Sequence, residues 1–234
     1  MDKILYEGKS KLICQGPDED SVVIRYKDTA TAFNGVKKEE LSGKGRLNAA
    51  ISNLLYGYLA AHGIETHLIS VIDDTSVLAK KAEIVMVEVI VRNAAAGSFA
   101  KKYGVPEGTA LRNTTTEFSL KSDALDDPMI NESQITALGL ATAAELADMT
   151  QQALRVNELL CGLFAGIGIR LIDFKLEFGR CAEKLLLCDE ISPDSCRFWD
   201  AKTGEKLDKD RFRRDLGNVL EGYEDVLGRL QHAQ

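Results

Sequence analysis

The stretch Leu171-Ile172-Asp173-Phe174-Lys175-Leu176-Glu177-Phe178, LIDFKLEF, followed by Gly179, decides how this chain folds. Apolar and charged residues alternate there, and successive side chains of a β-strand point to opposite faces. Asp173, Lys175 and Glu177 therefore share one face, while Ile172, Phe174, Leu176 and Phe178 share the other. Two explanations of the charged face are open: the solvated side of a half-buried antiparallel sheet, or the floor of a polar site. The return strand is predicted over 184–189. A three-residue loop, Cys181 to Glu183, would set Arg180 against Lys184 and Lys175 against Asp189, with Glu177 and Asp189 on one face. A two-residue loop would reverse the face of Asp189, because the side-chain period along a strand is two.

Working outward, strand-like runs crowd the first ninety residues, at 4–6, 11–15, 22–26, 67–72, 77–80 and 84–91, separated by turn signals such as Gly16-Pro17-Asp18 and Asp73-Asp74. Helical spacing of Leu47, Ile51, Leu54, Leu55 and Tyr58 predicts one helix ending near Gly63. Beyond residue 92 longer helices take over. Thr142-Ala143-Ala144-Glu145 is a capping box ahead of the stripe Leu146, Met149, Ala153, Val156, Leu160 and Leu163. A second stripe, Phe212, Leu216, Val219, Tyr223, Val226 and Leu230, predicts a last helix after Asp208. The pattern is α+β with two lobes, 1–86 rich in strands and 87–234 mixed, and antiparallel sheets with flanking helices.

Composition excludes several functions. At 234 residues and 45% hydrophobic, the chain can bury a sizeable core. No apolar run approaches the ~18 residues that span a bilayer, and Met1-Asp2-Lys3 leads into a strand rather than a leader, so a cytoplasmic protein without a membrane partner is expected. The net charge of -7 disfavours nucleic acid as a partner. Five cysteines without a C-x-x-C pair argue for reduced thiols rather than disulfides or zinc, and His62 and His67, flanking Gly63, suit a cap or loop.

Gly8-Lys9-Ser10 and Gly43-Lys44 mimic the end of a phosphate-binding P-loop, but its earlier glycine would fall on Lys3 and Lys38; Gly166-Ile167-Gly168 precedes a strand and lacks the third glycine of a dinucleotide fingerprint. The hairpin LYEGKSKLI, 5–13, resembles instead the flap that covers phosphates in kinase-like sites, with Lys11 on its return strand. Magnesium takes oxygen ligands and needs only one or two carboxylates beside nucleotide phosphates, which Glu177 and Asp189 would supply in the three-residue register. Arg92, backbone amides and Ser98 at a strand-to-helix switch suit either an anion or an ordinary connection. Arg197 follows the Ser192-Pro193-Asp194 turn, and 126–133 forms a polar loop.

Seven segments in this order, LYEGKSK (5–11), KGRLNAAISNLL (44–55), VEVIVRNAAAGSFAKKYG (87–104), DDPMINES (126–133), LIDFKLEFG (171–179), DEISPDSCRFWD (189–200) and LDKDRFRRDLG (207–217), together resemble the SAICAR synthetases of purine biosynthesis. The resemblance implies a two-lobed fold related to ATP-grasp enzymes and kinases. It implies an ATP-dependent ligase that joins 5-amino-1-(5-phosphoribosyl)imidazole-4-carboxylate to L-aspartate through an acyl phosphate, with Mg²⁺ as cofactor and a homodimer as the expected assembly. Carried onto this sequence, Gly8, Lys9 and Lys11 would form the phosphate flap, and the hinge at Lys81, Ala82, Glu83 and Met86 the adenine site. Glu177 and Asp189 would hold the metal, with Lys175 and Asp173 at the reacting groups. Arg92, Ser98 and Arg197 would anchor the substrate phosphate, Arg213 would assist, and Asp127 and Asn131 would lie near the substrates. Two competitors use the same residues: a kinase-like small-molecule phosphotransferase, and a nucleotide sensor without chemistry.

Overall fold

The structure, a computed structural model, describes residues 3–33 and 35–233; Met1 and Asp2, from which the absence of a leader was argued, lie outside it. Strands β1 (Ile4–Glu7), β2 (Lys11–Gln15) and β3 (Ser21–Tyr26) come first, then the hairpin β4 (Thr29–Ala32) and β5 (Lys37–Glu40). Helix α1 (Lys44–Ala61) and strands β6 (Leu68–Val71) and β7 (Ser76–Lys80) complete a five-stranded sheet of order β1-β2-β3-β7-β6. The long β8 (Glu83–Ala94), α2 (Gly97–Tyr103), β9 (Ala110–Leu120), β10 (Met129–Ile130), α3 (Glu132–Ala137) and α4 (Ala143–Gly166) follow. The chain ends with β11 (Ile169–Cys181), β12 (Lys184–Cys188), β13 (Cys196–Asp200), α5 (Asp210–Arg213) and α6 (Val219–His232). The second sheet runs β10-β9-β8-β11-β12, with β13 also paired to β11. All strand pairs in both sheets are antiparallel, so the α+β class with flanking helices holds.

Alternation along β8 and β11 builds the two faces of the second sheet. Val85, Val87, Val89 and Val91 join Phe174, Leu176 and Phe178 on the side covered by α4, whose Leu146, Met149, Val156, Leu160 and Phe164 are buried against them. Burying each such side chain is worth roughly 1.5–3 kcal/mol, so this layer dominates the stability of the region. Helix α4 begins at the predicted capping box, with Thr142 accepting from Glu145 N–H and Glu145 accepting from Thr142 N–H. Opposite lie Glu88, Arg92, Asp173, Lys175 and Glu177, brought level by the pairs Glu177↔Glu88 and Asp173↔Arg92. This face is not a solvated one: Asp173, Glu177 and Glu88 are 3%, 4% and 7% exposed.

Three expectations change. Strands β9 and β13 add to a region beyond residue 92 where longer helices and a single hairpin were expected; the threonine-rich run 114–116 within β9 favours a strand through its β-branched side chains. The predicted last helix splits into α5 and α6, because Asp215, Gly217 and Asn218 all have positive φ between them. The hairpin register also differs. Cys181 pairs with Lys184 across a two-residue turn, Ala182 at φ 52, so Glu177 lies opposite Cys188 rather than in the three-residue register. A continued strand would turn Asp189 to the apolar face.

Candidate active site

Asp189 reaches the polar side by leaving the sheet. Strand β12 stops at Cys188, and Asp189 takes φ 65, a left-handed conformation that aspartate tolerates better than most residues. Its carboxylate pairs with Lys11 of β2, and its other oxygen lies 3.9 Å from Lys175 Nζ. One turn residue thus restores the neighbourhood that the register had removed.

A cleft of about 450 Å³ lies where the flap of the first sheet faces the polar side of the second. Gly8, Lys9 and Lys11 line it from the flap, and Lys175, Glu177 and Asp189 line it from below. Lys175 Nζ donates to Glu88 Oε1 at 2.7 Å and to Glu177 Oε1 at 2.6 Å. Lys121 Nζ donates to the same Glu177 oxygen at 2.8 Å, and Ser119 Oγ holds the far oxygen of Glu88 at 2.8 Å. Burial disfavours the charge on Lys175, but Glu177, Asp189 and Glu88 outweigh it and keep the ammonium protonated well above the ordinary lysine range. Lys11 behaves the same way, with Asp189 and Glu190 overcoming burial. Burial would push Asp189 up, yet Lys11 and Lys175 hold it below the usual carboxylate range. Three carboxylates and three lysines thus interleave on one surface, a polar floor preset for polyanionic ligands.

The donor set suits magnesium. Glu177 and Asp189 present hard oxygen atoms to one cleft, and a magnesium ion that completes its shell with phosphates and water asks for no more. Among the described residues no group of three His, Cys, Asp or Glu side chains is disposed as an all-protein metal cage.

The first sheet and the crossing segment supply an apolar wall. Ile13, Val22, Ile24 and Ile84 line the cleft beside Lys81 and Ala82, a setting for a flat heterocycle. Met86 is not among the residues that line the cleft; it is 45% exposed, and its carbonyl accepts from Lys121 N–H. Glu83 likewise faces away and pairs with Arg180 at 3.1 Å. Lys9 bridges to Asp123 at 2.7 Å, joining the flap to the loop after β9. Asp127 lines the cleft and accepts from Ser122 N–H at 2.8 Å. Asn131 caps α3 in a reciprocal box with Gln134 and is not among the residues that line the cleft.

The predicted anion anchors gather beside the cleft. Asp173 sits between two guanidiniums, 2.7 Å from Arg92 Nη1 and 2.9 Å from Arg197 Nη1. It is not among the residues that line the cleft, and both its oxygens are taken by these two arginines. Arg197 Nε also donates to Asp210 at 3.0 Å, and Arg213 Nη1 pairs with the other Asp210 oxygen at 2.7 Å. Burial raises Asp210, but Arg197 and Arg213 bring it down to about 2. Ser98 Oγ is 3.5 Å from Arg92 Nη2, at the edge of hydrogen bonding. Gly97 allows Arg197 to lie flat against the backbone: a Cβ there would be 2.8 Å from Arg197 Cζ. Arg92, Ser98, Arg197 and Arg213 are thus one cluster, assembled from β8, α2, β13 and α5.

Sequence reasoning missed Glu88, Lys121 and Asp210. Glu88 carried a signal, since it is the acid that breaks the apolar run of β8. Lys121 carried none, because its partner Glu177 lies on a strand distant in the sequence, and the link from Asp210 to Arg197 likewise crosses from α5 to β13.

The family model for SAICAR synthetase matches residues 4–230. A phosphoribosylaminoimidazole-succinocarboxamide synthase of Clostridium perfringens is 53% identical over 230 residues, covering 98% of both chains. A crystal structure of the same enzyme from Ehrlichia chaffeensis superposes with a TM-score of 0.96 at 42% identity, again covering 98% of each chain. A SAICAR synthetase in complex with ADP reaches a TM-score of 0.93 at 44% identity, covering 96% of each. The chain belongs to the SAICAR synthetase family, and its enzyme class is that of the carbon–nitrogen ligases that join an acid to an amino acid.

Proposed function

We propose that this SAICAR synthetase family member uses ATP to join 5-amino-1-(5-phosphoribosyl)imidazole-4-carboxylate to L-aspartate, through an acyl phosphate. The observation that carries the reading is Lys175, fixed between Glu88 and Glu177 and facing the flap across one cleft with Asp189 and Lys11. A carboxylate is a poor electrophile because its leaving group would be an oxide. Transfer of the γ-phosphoryl to a carboxylate oxygen, with the bond to ADP breaking, turns that oxide into phosphate. The neutral amine of aspartate then bonds to the acyl carbon, the carbon–oxygen bond to phosphate breaks, and the nitrogen loses a proton to form the amide.

The chain's own residues bind and orient these groups. Gly8 leaves the flap backbone free to approach phosphates, with Lys9 and Lys11 adding charge, while Lys81 and Ala82 bound the apolar slot for adenine. Lys175 places a fixed ammonium where negative charge shifts between carboxylate and phosphoryl oxygens, a preorganised stabilisation that needs no rearrangement during transfer. Glu177 and Asp189 are the residues that would hold magnesium, whose charge offsets that of the transferring phosphoryl group. Arg92, Arg197 and Arg213, with Ser98, suit the ribose phosphate through planar guanidinium donors.

The test is ADP release measured with each substrate omitted in turn. Release should require both the imidazole carboxylate and L-aspartate. Release that proceeds without the amino acid, onto a hydroxyl acceptor, would favour the phosphotransferase; ATP binding with no turnover when all substrates are present would favour a sensor.

A further inference from the structure

Helix α4 covers the apolar side of the second sheet, and Asn157 is the one polar residue among those it buries, 8% exposed. An amide in an apolar layer costs free energy unless its groups find partners. Those of Asn157 find them on β8: Asn93 Nδ2 donates to Asn157 Oδ1 at 2.8 Å, and Asn157 Nδ2 donates back to Asn93 Oδ1 at 3.1 Å. Cys161, one turn further along α4, closes the pair, with its Sγ 3.3 Å from Asn93 Nδ2 and 3.5 Å from Asn157 Oδ1. An apolar side chain of similar volume would fill the layer equally well, so packing alone does not call for this amide.

Asn93 follows Arg92 in β8, and the alternation of the strand sends the two side chains to opposite faces of the sheet. At this point both ladders of β8 change. Against β9 the register jumps from Arg92↔Thr115 to Ala94↔Ala110, and against β11 it ends at Asp173↔Arg92. The Asn93 side chain bridges both places: Thr114 Oγ1 of β9 donates to Asn93 Oδ1 at 3.0 Å, and Asn93 Nδ2 donates to Leu171 O of β11 at 3.2 Å. A carbonyl only accepts, so Leu171 fixes which way round the Asn93 amide lies. The same two strands supply the carboxylates that hold Arg92. Glu117 of β9 accepts from Arg92 Nε and Asp173 of β11 from Nη1, each at 2.7 Å. One amide on the apolar side thus ties together the strands whose acids aim the guanidinium on the polar side.

We propose that Asn157 is a positioning residue for the phosphoribosyl substrate: through Asn93 it fixes the end of β8, and with it the aim of Arg92 toward the ribose phosphate. The assignment rests on the ligase reading, in which Arg92 is one of the phosphate anchors. Asn157 acts at a distance, from the face of the sheet opposite Arg92, and its one link to β8 through a side-chain amide is Asn93. A guanidinium fork meets phosphate oxygens only when it is aligned with them, and a shift at the end of β8 is carried straight to it.

Steady-state kinetics of Asn157→Leu, which keeps the volume and removes the amide pair, tests this. The KM for the imidazole carboxylate should rise roughly 3- to 10-fold, short of the ~10²-fold that a misplacement of about 1 Å costs, while the KM for ATP and kcat at saturation change little. Leu160→Ala, buried in the same helix, should lower the Tm and leave that KM alone. Asn93→Ala should raise the same KM, and adding Asn157→Leu to it should raise it no further, because the effect runs through Asn93. An unchanged KM in Asn157→Leu, an equal rise for ATP, the same rise in Leu160→Ala, or independent effects of the two asparagine substitutions would each overturn the role. Should Asn157→Leu not fold, Thr114→Val, which removes only the hydroxyl donor to Asn93, carries the test with a smaller rise, and an unchanged KM there overturns it. Failure of the ligase reading looks different: the unaltered protein itself would then release ADP without any dependence on the imidazole carboxylate.

Discussion

Gly97→Ala should weaken binding of the phosphoribosyl substrate while sparing nucleotide binding. Gly97 opens α2 at φ 51, where an alanine is strained by roughly 1 kcal/mol. The added methyl would crowd Arg197, standing 2.8 Å from Cζ and 3.1 Å from Nη1. Ordinary carbon contacts begin near 3.5 Å, so the guanidinium must retreat by roughly 0.7 Å. A free arginine would do so cheaply. This one is held by Asp173 at 3.0 and 2.9 Å through Nη1 and by Asp210 at 3.0 Å through Nε, so retreat loosens those bonds and misdirects the fork. Loss of one charge-assisted contact to a phosphate, about 1.5–3 kcal/mol, raises the KM for the imidazole nucleotide roughly 10- to 100-fold. The strain and loosened pair together cost about 1–3 kcal/mol of stability, or a Tm lower by roughly 3–10 °C in a chain of this size. Kinetics with the imidazole carboxylate varied at saturating ATP and L-aspartate, paired with a thermal melt, reads both. A lowered Tm with an unchanged KM would show that Arg197 does not touch the substrate. An unchanged Tm would refute the packing reasoning itself.

Glu177→Gln and Asp189→Asn should each lower turnover by at least ~10²-fold with the fold intact by circular dichroism, because each removes a carboxylate that fixes Lys175 or would hold metal; near-normal rates at saturating Mg²⁺ would refute the role. His67 is 5% exposed, and burial, resisted by Asp189, lowers its pKa from 6.5 to about 4. The native state then binds fewer protons than the unfolded chain between those values, so the stabilisation is complete above pH 6.5 and is lost as pH falls toward 4, by up to about 3 kcal/mol. Urea unfolding across that range should therefore show a shallower acid slope for His67→Phe than for the unaltered protein, and parallel curves would contradict the assignment.

Local chemistry made much of this protein legible. The alternation in LIDFKLEF, the Thr142–Glu145 capping box, the α1 and α4 stripes and six N-terminal strand runs each depend on neighbours within a few residues, and all appear in the structure. The segments shared with the SAICAR synthetases pointed to the family. What the sequence could not settle was which charges meet. Asp189 lies in the cleft only because its backbone turns to positive φ after a two-residue hairpin, a choice that strand periodicity does not contain. Asp173 belongs to Arg92 and Arg197 because three strands separated by up to a hundred positions stack in one register, and Asn131 belongs to its own helix as a cap. Hydrophobic period is a property of the segment, whereas the partner of a buried charge is set by long-range pairing. The faces of the strands could therefore be read from residue order, and the ion pairs that build the site could not.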